Sequence, residues 1–210
     1  NSYMQYITQE LWDNKFPSDD GTPLAIKDYM AWPKDRLEPI MTNSENIIAF
    51  GFNAYTKVAT GLNILRETIM GRELFDAAFK EYARRWAFKH PTPADFFRTM
   101  EDASGEDLDW FWKEWFFTTW KLDQAITSVK YTDAGTEITI ENKGKMIMPV
   151  TLKITESNGE INSIHLPGEI WQHGGTWVYT FPSKNKLEKV TLDPENVLPD
   201  MDRKNNEWKK

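Results

Sequence analysis

Tyr55-Thr56-Lys57-Val58-Ala59-Thr60 runs directly into an amphipathic stretch from Gly61 to Met70, and Gly71 follows it. Ala54, Val58, Leu62, Leu65 and Ile69 recur at i, i+4 and i+3 spacing, the stripe by which a helix buries one face. The spacing predicts a helix over 54–70. Gly71 fits a left-handed C-cap, where the missing Cβ removes the steric cost.

Upstream of this stretch, Tyr3, Tyr6, Ile7, Leu11 and Trp12 recur at helical spacing and predict a helix near 3–15. Phe16-Pro17-Ser18-Asp19-Asp20-Gly21-Thr22-Pro23 is rich in breakers and reads as a loop. Pro33 and Pro39 interrupt the next segment, which reads as loops with short helical turns. An apolar run, Ile47 to Phe52, precedes the main helix. Downstream, Leu74, Phe75, Ala78, Phe79, Tyr82 and Trp86 mark a second helix that His90-Pro91 ends. Thr92-Pro93-Ala94-Asp95 starts a third: Thr92 caps, Pro93 suits the first turn, and Asp95 returns the hydrogen bond. Ser104-Gly105-Glu106-Asp107 repeats the capping pattern before Leu108, Phe111, Trp112, Trp115 and Phe116. Four helices with short links describe residues 54–120.

Near Lys121 the hydrophobic period falls to two. Six strands are predicted, at 126–132, 136–142, 148–156, 161–166, 176–181 and 187–192. Asp133-Ala134-Gly135, Asn142-Lys143-Gly144 and Ser157-Asn158-Gly159 supply hairpin turns. Short strands at this spacing argue for a small antiparallel β-sandwich. The fold class is therefore α+β: helices over 1–122, a sandwich over 123–199, and a charged tail at 200–210 that is expected to fray.

A chain of 210 residues can bury a sizeable core. Its net charge of −7 argues against a nucleic-acid partner, which would want a basic face. With 10 Trp, 12 Phe and 7 Tyr, it carries much aromatic surface to bury. Cysteine is absent, so no disulfide can form, and export to a periplasm or beyond the cell stays open. No apolar run approaches the length of a membrane span. The chain starts at Asn1 inside an amphipathic pattern, which reads as the loss of a native start.

Few residues offer chemistry. His90, His165 and His173 have no partner at i+4, so none makes the paired helical ligands of zinc hydrolases. All three read as structural or surface residues. No phosphate loop, serine elbow or Cys–His pair can be built. Asp193-Pro194-Glu195-Asn196 and Asp200-Met201-Asp202 lack the spacing of a calcium loop and read as solvated turns. Tyr55, by pattern alone, is a helix-start aromatic that packs or hydrogen-bonds through its hydroxyl.

The order Tyr-x-Lys, a helix ending in Gly, a Phe-rich helix, Thr92-Pro93-Ala94-Asp95-Phe96, then Ser104-Gly105-Glu106-Asp107-Leu108 with a Trp-rich helix resembles one family. It is the gluzincin zinc aminopeptidases of aminopeptidase N and leukotriene hydrolase, and the succession spans about half the chain. The resemblance implies the helical C-terminal half of a thermolysin-like catalytic domain, followed by a small β domain. It implies that Tyr55 is catalytic: its hydroxyl would donate to the oxygen that turns negative when water attacks a peptide carbonyl. Val58 departs from the Gly usual after the Lys and adds bulk beside the site. The family's H-E-x-x-H motif and later Glu are absent, so this chain has no zinc ligands of its own.

Three expectations follow from the resemblance. The chain is the C-terminal portion of a zinc-dependent aminopeptidase, with zinc in the larger enzyme and none in the fragment, which alone is inactive. Its partners are the peptide substrate and the missing N-terminal part of the catalytic domain. Cutting that domain uncovers apolar surface, so the isolated chain should self-associate. The competing reading is a non-catalytic interaction module or pseudo-peptidase, motivated by the incomplete site and the aromatic load.

Overall fold

Two Thr-Pro pairs start helices in the computed structural model, which describes residues 2–13 and 22–210. Thr92 Oγ1 accepts from the Asp95 amide at 3.4 Å, and the Asp95 carboxylate accepts from the Thr92 amide at 2.8 Å. This full capping box opens α5 (Pro93–Ser104), and the Thr92 backbone amide, with its hydroxyl, holds the Asp95 carboxyl below the usual range. Thr22 Oγ1 accepts from the Ala25 amide at 3.3 Å, a single cap to which the alanine side chain returns no bond, and opens α2 (Pro23–Met30). The loop expected over 16–23 thus gives way to a helix start at Thr22-Pro23; residues 14–21 lie outside the described residues. So do the last two positions of the helix expected near 3–15, observed as α1 (Ser2–Asp13).

The backbone divides into Asn1–Thr119 and Trp120–Lys210. In the first unit the predicted main helix is α3 (Lys57–Ile64), preceded by a π-helical turn at Phe52–Thr56 and followed by another at Leu65–Ile69. Then come α4 (Arg72–Trp86), α5 and α6 (Asp109–Phe117). Leu62 and Leu65 are buried as expected, but so are Ala59, Thr60, Asn63, Ile64 and Arg66, while Ala54, Val58 and Ile69 are half-buried. The helix is therefore enclosed on more than one face, which a one-stripe reading could not reveal. Arg66 is tolerated because Asp76 on α4 accepts two hydrogen bonds from it, at 2.7 and 2.9 Å. That guanidinium holds the Asp76 carboxyl below the usual carboxylate range.

Two caps differ from expectation. Gly71 has positive φ (81°) with an extended ψ of 153°, so it links the helices without forming a left-handed C-cap. The left-handed cap is at Gly105 (φ 72°, ψ 11°), whose N–H returns to the Glu101 carbonyl at 2.8 Å. Ser104-Gly105 closes α5 instead of opening α6. The start of α6 is served by Glu101, whose carboxylate accepts from the Leu108 amide at 3.3 Å and the Trp112 indole at 3.1 Å.

The second unit is a sandwich of two antiparallel sheets. One has the order β1 (Gln124–Thr132), β2 (Gly135–Asn142), β5 (Thr176–Phe181). The other has the order β4 (Ile161–Leu166), β3 (Val150–Glu156), β6 (Leu187–Leu192), β7 (Glu207–Lys209). Alternation sets the core: Ile138 and Ile140 of β2 pack with Val150, Leu152 and Ile154 of β3, Val190 and Leu192 of β6, and Trp171. Asn142-Lys143-Gly144 is not a hairpin, because β2 and β3 lie in different sheets; the Lys143 and Gly144 amides both donate to the Asp123 carbonyl as the chain crosses over. The Met148 carbonyl accepts from Trp171 Nε1 at 2.9 Å and Gln124 Nε2 at 3.0 Å.

The charged tail, expected to fray, instead supplies β7. It pairs with β6, and the Glu207 carboxylate meets Lys189 and Lys209 across and along the strand. The acidic segments before it are not solvated turns. Asp193 is buried and accepts from the Val197 and Leu198 amides, at 3.0 and 3.1 Å, and from Arg203 at 2.9 Å. Asp200 is buried and accepts from the Gln124 and Asp202 amides, at 2.9 and 3.0 Å, although burial pushes its carboxyl up. Each carboxylate replaces water for backbone amides that turn away from any sheet. Asp193→Ala should therefore lower the unfolding free energy by about 3–5 kcal/mol, since it leaves two amides without their acceptor and Arg203 without its counter-charge. A urea titration showing a loss below about 1 kcal/mol would mean that other contacts hold this turn.

Candidate active site

Tyr55 sits on the first π-helical turn, and several independent contacts hold that turn. In a π turn the amide reaches five residues back, so the Lys57 N–H bonds to the Phe52 carbonyl. The Phe52 ring stacks on Tyr29 at 5.4 Å and meets Trp32 edge-on at 5.5 Å. Asn53 Nδ2 donates to the Pro39 carbonyl at 3.0 Å. One turn earlier, the buried Glu38 carboxylate accepts from the Ile48 and Ala49 amides at 2.8 and 3.1 Å. Those amides stand at the opening of the helix, where a carboxylate satisfies orphan donors and the helix dipole together. The Tyr29 hydroxyl accepts from the Glu38 amide at 3.0 Å, which fixes Glu38 in turn.

The Tyr55 side chain is half-buried. Its ring meets Phe50 edge-on at 5.5 Å. Gly51, Phe52, Tyr55 and Thr56 line an open pocket of about 360 Å³. The hydroxyl makes no hydrogen bond to another described residue, which leaves it free to donate to a ligand. Phe50, which meets the Tyr55 ring, is 55% exposed, and Ile48 two residues earlier is 75% exposed.

Lys57 faces the other way. It is 4% exposed, and its Nζ donates to the Thr118 carbonyl just past α6 at 3.1 Å. Burial pushes its ammonium down to about 8. Its own carbonyl accepts from Trp115 Nε1 at 2.8 Å. The indole can reach that carbonyl because Gly61 lies beneath it: a Cβ there would stand 1.9 Å from Trp115 Nε1. Lys57, Gly61 and Trp115 thus form one lock between α3 and α6. Sequence reading named Lys57 only as half of a motif and missed Glu38 and the lock. The available signal was Gly61 itself, since a glycine inside a strong helical pattern usually answers a packing demand.

The described residues do not fit a zinc site. His90, His165 and His173 are exposed. Among the described residues the one group of three potential ligands is Glu101, Asp107 and Asp109. Its most enclosed member, Glu101, is already occupied by the Leu108 amide and the Trp112 indole.

Residues 6–115, just over half of the chain, match the peptidase family M1 domain. The chain belongs to peptidase family M1. The matched segment contains Tyr55, Lys57, Gly61 and Trp115. Among solved structures, Legionella pneumophila aminopeptidase A in complex with aspartic acid superposes with a TM-score of 0.60 over 95% of this chain, at 13% identity. That likeness concerns the α+β fold, and the chain spans 22% of the length of that structure. No curated protein matches the chain in sequence.

The Lys57 ammonium has a pH signature. Burial holds its folded pKa at about 8, below the ordinary lysine value of 10.5. Below pH 8 both folded and unfolded states are charged, and burial costs the fold in full. As pH rises towards 10.5 the folded state sheds the proton first and the cost disappears. Lys57→Met should therefore be more favourable relative to wild type at pH 7 than at pH 10.5, by on the order of 3 kcal/mol. Paired urea titrations at the two pH values check this; a pH-independent difference would contradict a buried cation.

Proposed function

We propose that this chain is the C-terminal part of a zinc-dependent M1 aminopeptidase, comprising part of its catalytic domain and the β-sandwich that follows. The observation that carries the reading is Tyr55: a hydroxyl with no described protein partner, over an open pocket, on a turn held from several sides. Such a donor, fixed before the reaction, stabilises the charge that appears on a peptide carbonyl oxygen when water attacks it. It gains more from the transition state than from the ground state, so it accelerates the reaction instead of only binding the substrate. In this reading Tyr55 only donates a hydrogen bond. Zinc would polarise the carbonyl and activate the water. Its ligands and the general base belong, in this reading, to the N-terminal part of the catalytic domain, outside this chain. The isolated chain is therefore inactive.

The exposed Ile48 and Phe50 beside the pocket favour docking of that N-terminal part, and they also support the second reading. A non-catalytic module or pseudo-peptidase would use the same apolar surface to hold a protein partner. In both cases the isolated chain would self-associate through it.

Tyr55→Phe in the intact protein separates the two. Removal of one preorganised donor should lower kcat on an aminoacyl-nitroanilide by about 10²–10³-fold. The melting temperature should not move, since the ring and its contact with Phe50 remain. Unchanged turnover would remove Tyr55 from the mechanism. Chelator-sensitive hydrolysis by the isolated chain would contradict the placement of zinc outside it.

A further inference from the structure

Lys57 departs from what a stable helix would choose. No carboxylate among the described residues pairs with its buried ammonium, and a buried cation without a counter-charge destabilises a fold. Methionine or leucine would fill the same space at lower cost. What only the ammonium supplies is a strong directed donor, and it is aimed at one acceptor, the Thr118 carbonyl. Departures from local rules without a gain in stability tend to mark functional positions.

Three bonds meet on this residue. Its amide closes the π turn on the Phe52 carbonyl. Its carbonyl receives the Trp115 indole. Its ammonium holds the chain end of α6 at Thr118. The first decides where the wide turn closes; the other two fix Lys57 against α6 from both ends of the residue. If Lys57 slipped, its amide could return to the carbonyl four residues back, as in an ordinary α-helix. The turn would tighten and side chains on it, Tyr55 among them, would rotate about the helix axis.

We infer that Lys57 is a positioning residue for Tyr55: pinned at its amide, carbonyl and ammonium, it holds open the π turn that sets the direction of the Tyr55 hydroxyl. The inference rests on the catalytic reading of Tyr55. A displaced donor loses its contact with the developing charge even though the fold survives, and a shift near 1 Å can cost about 100-fold in rate.

A double-mutant cycle in the intact protein tests it, with kcat and KM measured for wild type, Tyr55→Phe, Lys57→Met and the double variant. Lys57→Met should lower kcat about 10- to 100-fold with KM little changed, because the lost contact exists only in the transition state. In the Tyr55→Phe background the same change should cost less than about 3-fold, since there is no hydroxyl left to misdirect. Equal factors in both backgrounds, or no loss in either, would overturn the inference while leaving Tyr55 catalytic. A fully active Tyr55→Phe variant would instead overturn the underlying reading, and this inference with it. Should Lys57→Met fail to fold, Trp115→Phe removes the indole N–H from the Lys57 carbonyl, and the same cycle applies with the same two outcomes.

Discussion

The pyrrole side of the Trp115 indole closes on Gly61, and the helical unit is organised around that approach. The ring is fully buried, stacked on Phe111 at 6.2 Å, and donates to the Lys57 carbonyl. Burial of an indole of this size contributes about 4–6 kcal/mol of apolar stabilisation. That contribution is available only if the ring can close on α3, which requires the glycine, because a Cβ at position 61 would stand 1.9 Å from Trp115 Nε1. Once they do, Lys57 is enclosed, and its ammonium must find the nearest acceptor at the end of α6. Close packing and the buried cation are therefore consequences of one contact, and the π turn is held by it together with the Phe52 ring stacking and the Asn53 bond to Pro39.

Much of this was legible in the sequence. The helices carry strong 3.6-residue periodicity, and the Thr92-Pro93-Ala94-Asp95 cap is local, needing only residues within one turn. The strands alternate cleanly, and four of the six expected strands end within a residue of where the chain places them. What could not be read depends on residues far apart in the chain. The two π turns have no sequence signature, because the choice between i−4 and i−5 bonding is made by packing partners such as Tyr29 and Trp115. Glu38 reads as an ordinary surface acid until the fold brings the Ile48 and Ala49 amides to it. Asp193 and Asp200 look like solvated turn residues until Arg203 and β1 enclose them. Asn142-Lys143-Gly144 has the composition of a hairpin turn, yet only the sheet order reveals a crossover.

The candidate site shows the same division. Tyr55 and Lys57 were visible as a spaced pair, with a role that came from family resemblance. The structure adds what holds Tyr55 in place: a turn braced by ring stacking, by Asn53 on Pro39, and by the Lys57 lock. In the sandwich, by contrast, several buried polar groups bond its own backbone. Its Asp193, Asp200, Gln124 and Trp171 all satisfy main-chain groups, and this fits a structural module better than a ligand site.

The central claim is that Tyr55 points its hydroxyl at a developing oxyanion. The most direct measurement is a crystal structure of the intact protein with a phosphinic pseudopeptide, whose phosphinyl oxygen stands where that oxyanion forms. The account places Tyr55 Oη at about 2.6–3.2 Å from one such oxygen, with no water between them. A Tyr55 hydroxyl turned away, with that oxygen held by other groups, would contradict it.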